Sequence, residues 1–129
     1  MPETHSYEYA VIRLVPRVER EEFLNVGVIV YCKRLRFLAM QHHLDRNCFS
    51  VLWPQLDYDE VEAYLQSWDK ICQADPAGGK IATLDLSGRF HWLTAARSTI
   101  IQSSLIHTGL TADPAQTLQA LFEKYILRE

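Results

Sequence analysis

Residues 24–32, LNVGVIVYC, form a run that is apolar at almost every position. A strand that is apolar on both faces is typical of the centre of a sheet. Gly27 interrupts the run, and a glycine inside a strand indicates a β-bulge or the close approach of another group. The sequence therefore predicts a central strand over 24–32, with an irregularity at Gly27.

The segments on either side of this run also have the patterns of strands. Residues 6–15, SYEYAVIRLV, alternate between two faces before Pro16, which cannot donate to a ladder. One face contains Ala10, Ile12 and Leu14, and the other contains Tyr7, Tyr9, Val11, Arg13 and Val15. Residues 33–35 form a tight reversal, and a third strand is predicted over 36–42. Short connections between these three strands predict an antiparallel arrangement.

The middle of the chain is predicted to be helical. Asp45 is placed to cap a short helix over 46–52. A longer helix is predicted over 58–74, where Asp57 and Glu60 have the spacing of a capping box. Apolar residues recur along this longer helix at helical spacing, at Val61, Tyr64, Leu65, Trp68, Ile71 and Cys72. This stripe predicts a helix that packs against the sheet.

The last third of the chain is predicted to contain a loop over 75–79, a helical turn over 85–94, a strand over 98–107 and a closing helix. Asp113 followed by Pro114 is a strong helix start. The buried stripe of the closing helix consists of Leu118, Leu121, Phe122, Tyr125 and Ile126. The order of elements predicts an α+β fold, in which a small antiparallel or mixed sheet of about four strands has its helices packed on one face.

The composition is that of one globular domain over residues 1–129. Hydrophobic residues make up 48% of the chain and charged residues 22%, which is ordinary for a soluble protein. The net charge of −3 argues against nucleic-acid binding through overall positive charge. No apolar run approaches the roughly 20 residues of a membrane span, and the N-terminus lacks the pattern of a signal peptide. A cytoplasmic protein is therefore expected.

The sequence contains no recognisable cofactor or metal motif. Cys32, Cys48 and Cys72 are widely spaced and odd in number, which fits reduced thiols rather than a disulfide framework or a CxxC site. His42 and His43 could be considered as zinc ligands together with Cys48, but adjacent residues of a strand point to opposite faces. No P-loop, Rossmann glycine pattern, kinase signature or Gly-x-Ser-x-Gly elbow is present. We therefore expect neither a cofactor nor a metal.

Residues 86–112 contain no Asp or Glu, although the chain is acidic overall. This stretch includes Arg89, His91, Arg97 and His107 among many hydroxyl side chains. Hydrogen-bond donors without a competing carboxylate are what an anionic ligand or an acidic partner surface requires. The stretch is therefore the first candidate for a functional surface.

Two groups of polar residues are candidate ligand-binding residues, one around the first connection and one in the acid-free stretch. The first group is Arg13, Arg17, Arg20 and Asn25, and the second is Arg97, Ser98, Thr99, Gln102, Ser104 and His107. Arg13 lies in mid-strand and is expected to be at least half buried, with Glu19 or Glu21 as its carboxylate partner. In a strand over 98–107, Thr99, Ser103 and His107 would share one face. Hydroxyl groups in such a strand also have a structural interpretation, since they bond across to neighbouring strands.

A catalytic interpretation uses His107 or His91 as a general base and Arg97 to stabilise a developing negative charge. Ser98 or Ser103 would then be the nucleophile. Neither serine has the sequence context of a known nucleophile motif, and a lone histidine is more often structural than catalytic. The sequence therefore favours binding over catalysis.

The sequence motifs that contain both groups of polar residues resemble those of the DUF3037 family. The resemblance covers residues 7–126. It is carried by Tyr7-x-Tyr9-Ala10-Val11-Ile12-Arg13, Val15-Pro16-Arg17-x-Glu19-Arg20, Asn25-Val26-Gly27-Val28, Trp92-Leu93-Thr94-Ala95-x-Arg97-Ser98-Thr99, Gln102, Ser104 and His107-Thr108-Gly109-Leu110. The resemblance implies a small bacterial protein of unknown function, with no assigned reaction or site. Genes of this family are often neighbours of genes for HipA-like kinases, which implies a two-protein system.

The favoured hypothesis is a non-catalytic module that binds a protein partner, with a HipA-like kinase as the candidate. The alternative is a binding site or an enzyme for a phosphate-bearing small molecule or a nucleic-acid end. Its donors would be Arg17, Arg97, Gln102 and His107. A third interpretation, nucleic-acid binding at a basic hairpin tip, is disfavoured by the acidic net charge. That tip consists of Lys33, Arg34 and Arg36, with Phe37 available for stacking.

Overall fold

The computed structural model describes residues 3–17 and 21–128, and this part of the chain forms five strands and four α-helices. The strands are β1 (His5–Leu14), β2 (Leu24–Cys32), β3 (Phe37–His42), β4 (Ile101–Ser103) and β5 (His107–Thr111). The helices are α1 (Arg46–Leu52), α2 (Tyr58–Cys72), α3 (Leu86–Thr94) and α4 (Pro114–Phe122), which continues as a π-helical turn over Glu123–Leu127. The predicted loop over 75–79 contains a short 3-10 turn, Pro76–Gly78.

The sheet is antiparallel and open, with the order β3–β2–β1 and with β4 and β5 both paired to the far side of β1. β5 pairs with the segment from His5 to Tyr9, and β4 pairs with the segment from Ile12 to Leu14. β2 lies between β1 and β3, so the prediction of a central strand is confirmed. The antiparallel α+β architecture is confirmed as well.

Gly27 lies beside a β-bulge, as its position in the strand predicted. Ile12 pairs with Gly27 whereas Arg13 pairs with Asn25, so the register between β1 and β2 shifts by one residue there. A Cβ atom at position 27 would lie 3.1 Å from the carbonyl oxygen of Gln41 on β3, which is closer than such atoms normally approach. Bulges re-aim the side chains next to them, and this bulge places Asn25 directly beside Arg13.

Helices cover both faces of the sheet, which corrects the expectation that all of them share one face. α1, α2 and α3 pack on the face that includes Ile29 and Tyr31 of β2. α4 packs on the opposite face against Val28 and Val30. The physical reason lies in β2 itself, because a strand that is apolar on both faces requires cover on both faces. None of the described helices has the length and apolar character needed to cross a membrane.

The predicted single strand over 98–107 is wrong, because two short strands with a break between them occupy this region. At the break, the Val11 amide of β1 donates to Ser104 Oγ at 2.9 Å, and the Ser104 amide donates to the Val11 carbonyl at 2.8 Å. The side chain of Ser104 thus replaces a backbone acceptor and keeps the chain attached to β1. His107 consequently begins β5 rather than ending a strand. The other predicted helices and strands agree with the structure within two residues at each described boundary.

Candidate functional site

Three of the predicted site residues form a row across three neighbouring strands. Arg13 of β1 pairs in register with Asn25 of β2 and with Gln102 of β4. Register partners share a face, so the three side chains lie side by side on the face that α4 also covers. The guanidinium carbon of Arg13 lies 4.2 Å from the ring centre of Phe23, and Gln102 Nε2 donates to the Thr99 carbonyl at 2.8 Å. We call Arg13, Asn25 and Gln102 the polar row.

Two buried atoms of the polar row lack a hydrogen-bond partner among the described residues, namely Arg13 Nε and Asn25 Oδ1. A buried donor or acceptor without a partner costs about 1–3 kcal/mol. Arg13 forms no ion pair with Glu21 or with any other described carboxylate. Glu19 lies outside the described residues, so its pairing with Arg13 stays a prediction. Within the described chain, the half-buried charge of Arg13 has no counter-ion.

Asn25 also lines a cavity of about 330 Å³ beside the π-helical turn that follows α4. The cavity has apolar walls and several polar groups, and its lining consists of Leu24, Asn25, His43, Asp45, Cys48, Ile126, Leu127 and Arg128. The Asp45 carboxylate is already used as the N-cap of α1, where it accepts the Cys48 amide at 3.0 Å. The cavity therefore combines apolar surface with the side chains of Asn25 and Arg128.

Arg97 lies away from the polar row and stabilises the end of α3. Its guanidinium carbon is 4.5 Å from the ring centre of Trp92 and 5.2 Å from that of Trp68. Its Nε donates to the Ala95 carbonyl at 3.3 Å, and its Nη2 donates to the Trp92 carbonyl. The last carbonyls of a helix lack intrahelical partners, and Arg97 satisfies that of Trp92 together with the carbonyl of Ala95 just beyond the helix. The protein itself thus engages two of the five N–H donors of Arg97.

The remaining predicted site residues are dispersed. Ser98 and Thr99 lie in the exposed connection between α3 and β4. Ser104 is buried in the ladder with β1. Arg17 lines a separate cleft beside the end of α1, and Arg20 lies outside the described residues. The nine predicted residues that the structure describes therefore do not assemble into one site, and the polar row is the subset that comes together.

His107 belongs to an aromatic cluster that sequence reasoning missed. Its ring centre lies 5.2 Å from that of Tyr9, which in turn lies 6.3 Å from Tyr125. Tyr7 stacks on Tyr9 at 5.9 Å, and the Tyr7 ring lies over Gly109. The alternation of Tyr7 and Tyr9 in β1 was visible in the sequence, but their contact with the end of the chain depends on the tertiary fold.

The Tyr9 phenol is expected to make the stability of the folded protein fall as the pH becomes alkaline. Its hydrogen bond to Tyr125, aided by burial, raises the pKa of Tyr9 from 10.0 to about 12. A raised folded-state pKa means that the neutral phenol contributes its full stabilisation below pH 10 and loses it as pH rises through about 12. We expect the free energy of unfolding, measured by urea denaturation, to fall across this interval more steeply in the wild type than in Tyr125→Phe. Equal slopes for the two proteins would contradict this assignment.

The described histidines, cysteines and carboxylates do not gather into a group of three or more that could hold a metal ion. The two adjacent histidines lie in different surroundings. His42 faces α2, with Nδ1 at 3.9 Å from Glu62 and Nε2 at 4.0 Å from Asp69. His43 lines the cavity with Cys48.

The three cysteines are free thiols with different exposure. Burial, together with the nearby Asp69 carboxylate, raises the pKa of the Cys72 thiol well above its usual range. The thiolate is the reactive form, and Cys32 is also buried whereas Cys48 is half-buried.

We expect a disulfide-exchange reagent to label Cys48 first and Cys72 only upon unfolding, as measured by mass spectrometry. Cys48→Ser is the control, in which the fast reaction disappears; labelling of folded Cys72 as fast as Cys48 would contradict the burial argument.

One edge of the sheet is open along β5. Among the described strands, β5 pairs with β1 alone. The amide and carbonyl of Val11 both face Ser104 on this side of β1, and backbone groups alternate in direction along a strand. Tyr9 and Tyr7 therefore also face β5, where their register partners are His107 and Gly109.

The intervening residues of β5, Thr108 and Leu110, consequently direct their amides and carbonyls away from β1. Leu110 is 72% exposed and Leu105, just before the strand, is 85% exposed. We call residues 105–110 the free edge. It combines unpaired backbone groups with exposed aliphatic side chains.

Comparison with known proteins identifies the family of the chain. A family model described as "Protein of unknown function (DUF3037)" matches residues 9–126, which include both the polar row and the free edge. None of the curated proteins and none of the solved structures compared with this chain matches it. Since the family model matches most of its length, the chain belongs to DUF3037, a family of unknown function.

Proposed function

We propose that this protein is a non-catalytic interaction module of the bacterial cytoplasm, which binds an extended segment of a partner protein along its free edge. The observation that carries the proposal is the exposure of Leu105 and Leu110, at 85% and 72%, beside unpaired backbone groups. An open strand edge is a template for pairing, and many peptide-binding domains add a partner strand in this way. Main-chain bonds to Thr108 and Leu110 would supply affinity.

The free edge lacks the usual protection against strand addition. Natural edge strands are shielded by lysine, other charged residues or proline, or by a covering element. Residues 100–111, IIQSSLIHTGLT, contain neither a charged residue, counting histidine as neutral, nor a proline. The opposite edge strand, β3, likewise contains no charged residue, counting histidine as neutral, and no proline, but it packs against both α2 and α4. The unshielded apolar edge at β5 is consistent with a surface that a partner covers.

The charge distribution favours an acidic segment as the occupant. Residues 86–112 contain Arg89 and Arg97 and no acid, so this stretch carries a net positive charge, although Glu8 of β1 lies opposite Thr108. A second copy of this chain would present the same net positive stretch and would therefore offer no complementary charge. We therefore infer that the partner contributes an extended segment in which apolar and acidic residues alternate.

A HipA-like kinase is the partner that the family suggests, and it can be tested with matched variants. We expect the chain and the HipA-like kinase of the same genome to form a stoichiometric complex in size-exclusion chromatography with light scattering. Leu110→Asp should abolish the complex, since it places an acid on the free edge. Val51→Asp is the control, because Val51 is 80% exposed on α1, away from the edge.

Three outcomes would overturn parts of the proposal. A complex that survives Leu110→Asp would place the contact elsewhere. The absence of any complex would remove the kinase as the partner. A dimer of the chain alone that Leu110→Asp dissociates would make the second copy the occupant of the free edge.

A further inference from the structure

We propose that the polar row binds a small oxyanion, a carboxylate or phosphate group, of a molecule whose remaining atoms occupy the cavity beside Asn25. This site is separate from the free edge. The polar row lies at the end of β1 that pairs with β4, whereas the free edge pairs with the beginning of β1. The two proposals can therefore fail independently.

The Arg13 guanidinium is the charged centre of the proposed site. It is half-buried, and its Nε has no described acceptor. Stacking on Phe23 at 4.2 Å orients the guanidinium plane and leaves its edge available for in-plane hydrogen bonds, the geometry in which arginine binds carboxylate and phosphate. No described carboxylate lies within 4.0 Å to compete for these donors.

The amides of Asn25 and Gln102 flank this charge on both sides. Gln102 is oriented by the bond from its Nε2 to the Thr99 carbonyl at 2.8 Å, and the same nitrogen has a second hydrogen to donate. The unpartnered Asn25 Oδ1 exchanges place with the amide nitrogen when the group rotates by half a turn. After this rotation of the Asn25 amide, the oxyanion would accept one hydrogen bond from Asn25 and one from Gln102. The bulge beside Gly27 is what places Asn25 in this row.

The cavity indicates the size of the ligand. Its volume of about 330 Å³ lies at the lower end of the range of small-molecule sites, about 300–1,000 Å³. Leu24 and Ile126 supply apolar walls, and Arg128 supplies a second cation. A small metabolite with an apolar part and one oxyanion fits this combination better than a polyanion.

The test is a titration with inorganic phosphate and, separately, with acetate, at constant ionic strength adjusted with chloride. NMR of the Arg13 Nε–H group should show a saturable shift, and the anion that binds more tightly identifies the source of the oxyanion. Arg13→Gln should weaken binding by about 10- to 100-fold, as expected for lost hydrogen bonds to a charged group. Gln102→Ala keeps the charge and should weaken binding to a smaller extent, whereas Arg17→Gln should leave it unchanged.

The proposal is overturned if the shift does not saturate, or if Arg17→Gln weakens binding as much as Arg13→Gln does, since both results indicate unspecific attraction. It is also overturned if the wild type binds neither anion. Binding gained by Glu19→Gln would then show that Glu19 occupies the site from within the chain.

Discussion

Gly109→Ala is expected to lower the free energy of unfolding by about 1–3 kcal/mol, the usual cost of overpacking. A Cβ atom at this position would lie 2.7 Å from Cε1 of Tyr7 and 2.8 Å from its hydroxyl oxygen. The Tyr7 ring would have to leave Gly109 and lose its stacking on Tyr9 at 5.9 Å. Urea denaturation measures the change.

A double-mutant cycle separates this contact from the general effect of the substitution. In a Tyr7→Ala background the added methyl group has no ring to displace, so Gly109→Ala should be neutral or slightly stabilising, because it restricts the unfolded chain. The same cost in both backgrounds would show that the Tyr7 ring is not the reason for glycine at position 109.

Ser104→Ala is expected to destabilise the protein by about 1–3 kcal/mol, because the buried Val11 amide loses its acceptor. Val11 is 6% exposed, so water cannot readily replace the serine hydroxyl. The Val11 amide should also exchange its hydrogen faster in this variant. Ser103→Ala is the matched control, since the Ser103 hydroxyl donates to a neighbouring carbonyl and supports no pairing with β1. A Ser104→Ala variant no less stable than Ser103→Ala would contradict this role.

Local signals explain which elements were predictable from the sequence. Asp45, Asp57 and Asp113 each cap the helix that they were predicted to begin, because a cap acts within a few residues of the chain. β2 was recognisable from its apolar run, and Gly27 indicated the bulge. These features depend on short-range chemistry, so no tertiary contact was needed to infer them.

The split between β4 and β5 depends instead on a long-range contact. The bond between Val11 and Ser104 joins residues 93 positions apart, and nothing within 98–107 signals that a side chain will replace a backbone acceptor there. The position of α4 was partly predictable, since a strand apolar on both faces implies cover on both faces.

The candidate site was predictable in its residue types and not in its assembly. Arg13, Asn25 and Gln102 were all identified from the sequence, but the pairing of β1 with β4 brings Gln102 to the row. Arg97 was expected among the ligand donors, whereas it satisfies carbonyls at the end of α3. The free edge was not anticipated, because an unpaired edge is a property of strand order.

Strand addition at the free edge is tested most directly by hydrogen exchange in the presence of an extended peptide of alternating valine and glutamate. We expect this peptide to slow exchange of the Thr108 and Leu110 amides, which face away from β1, and to leave exchange of the Gly109 amide unchanged, since that amide faces its partner Tyr7. A matched peptide with lysine in place of glutamate should give no protection. Unchanged exchange at Thr108 and Leu110, or equal protection by both peptides, would contradict the addition of an acidic strand at the free edge.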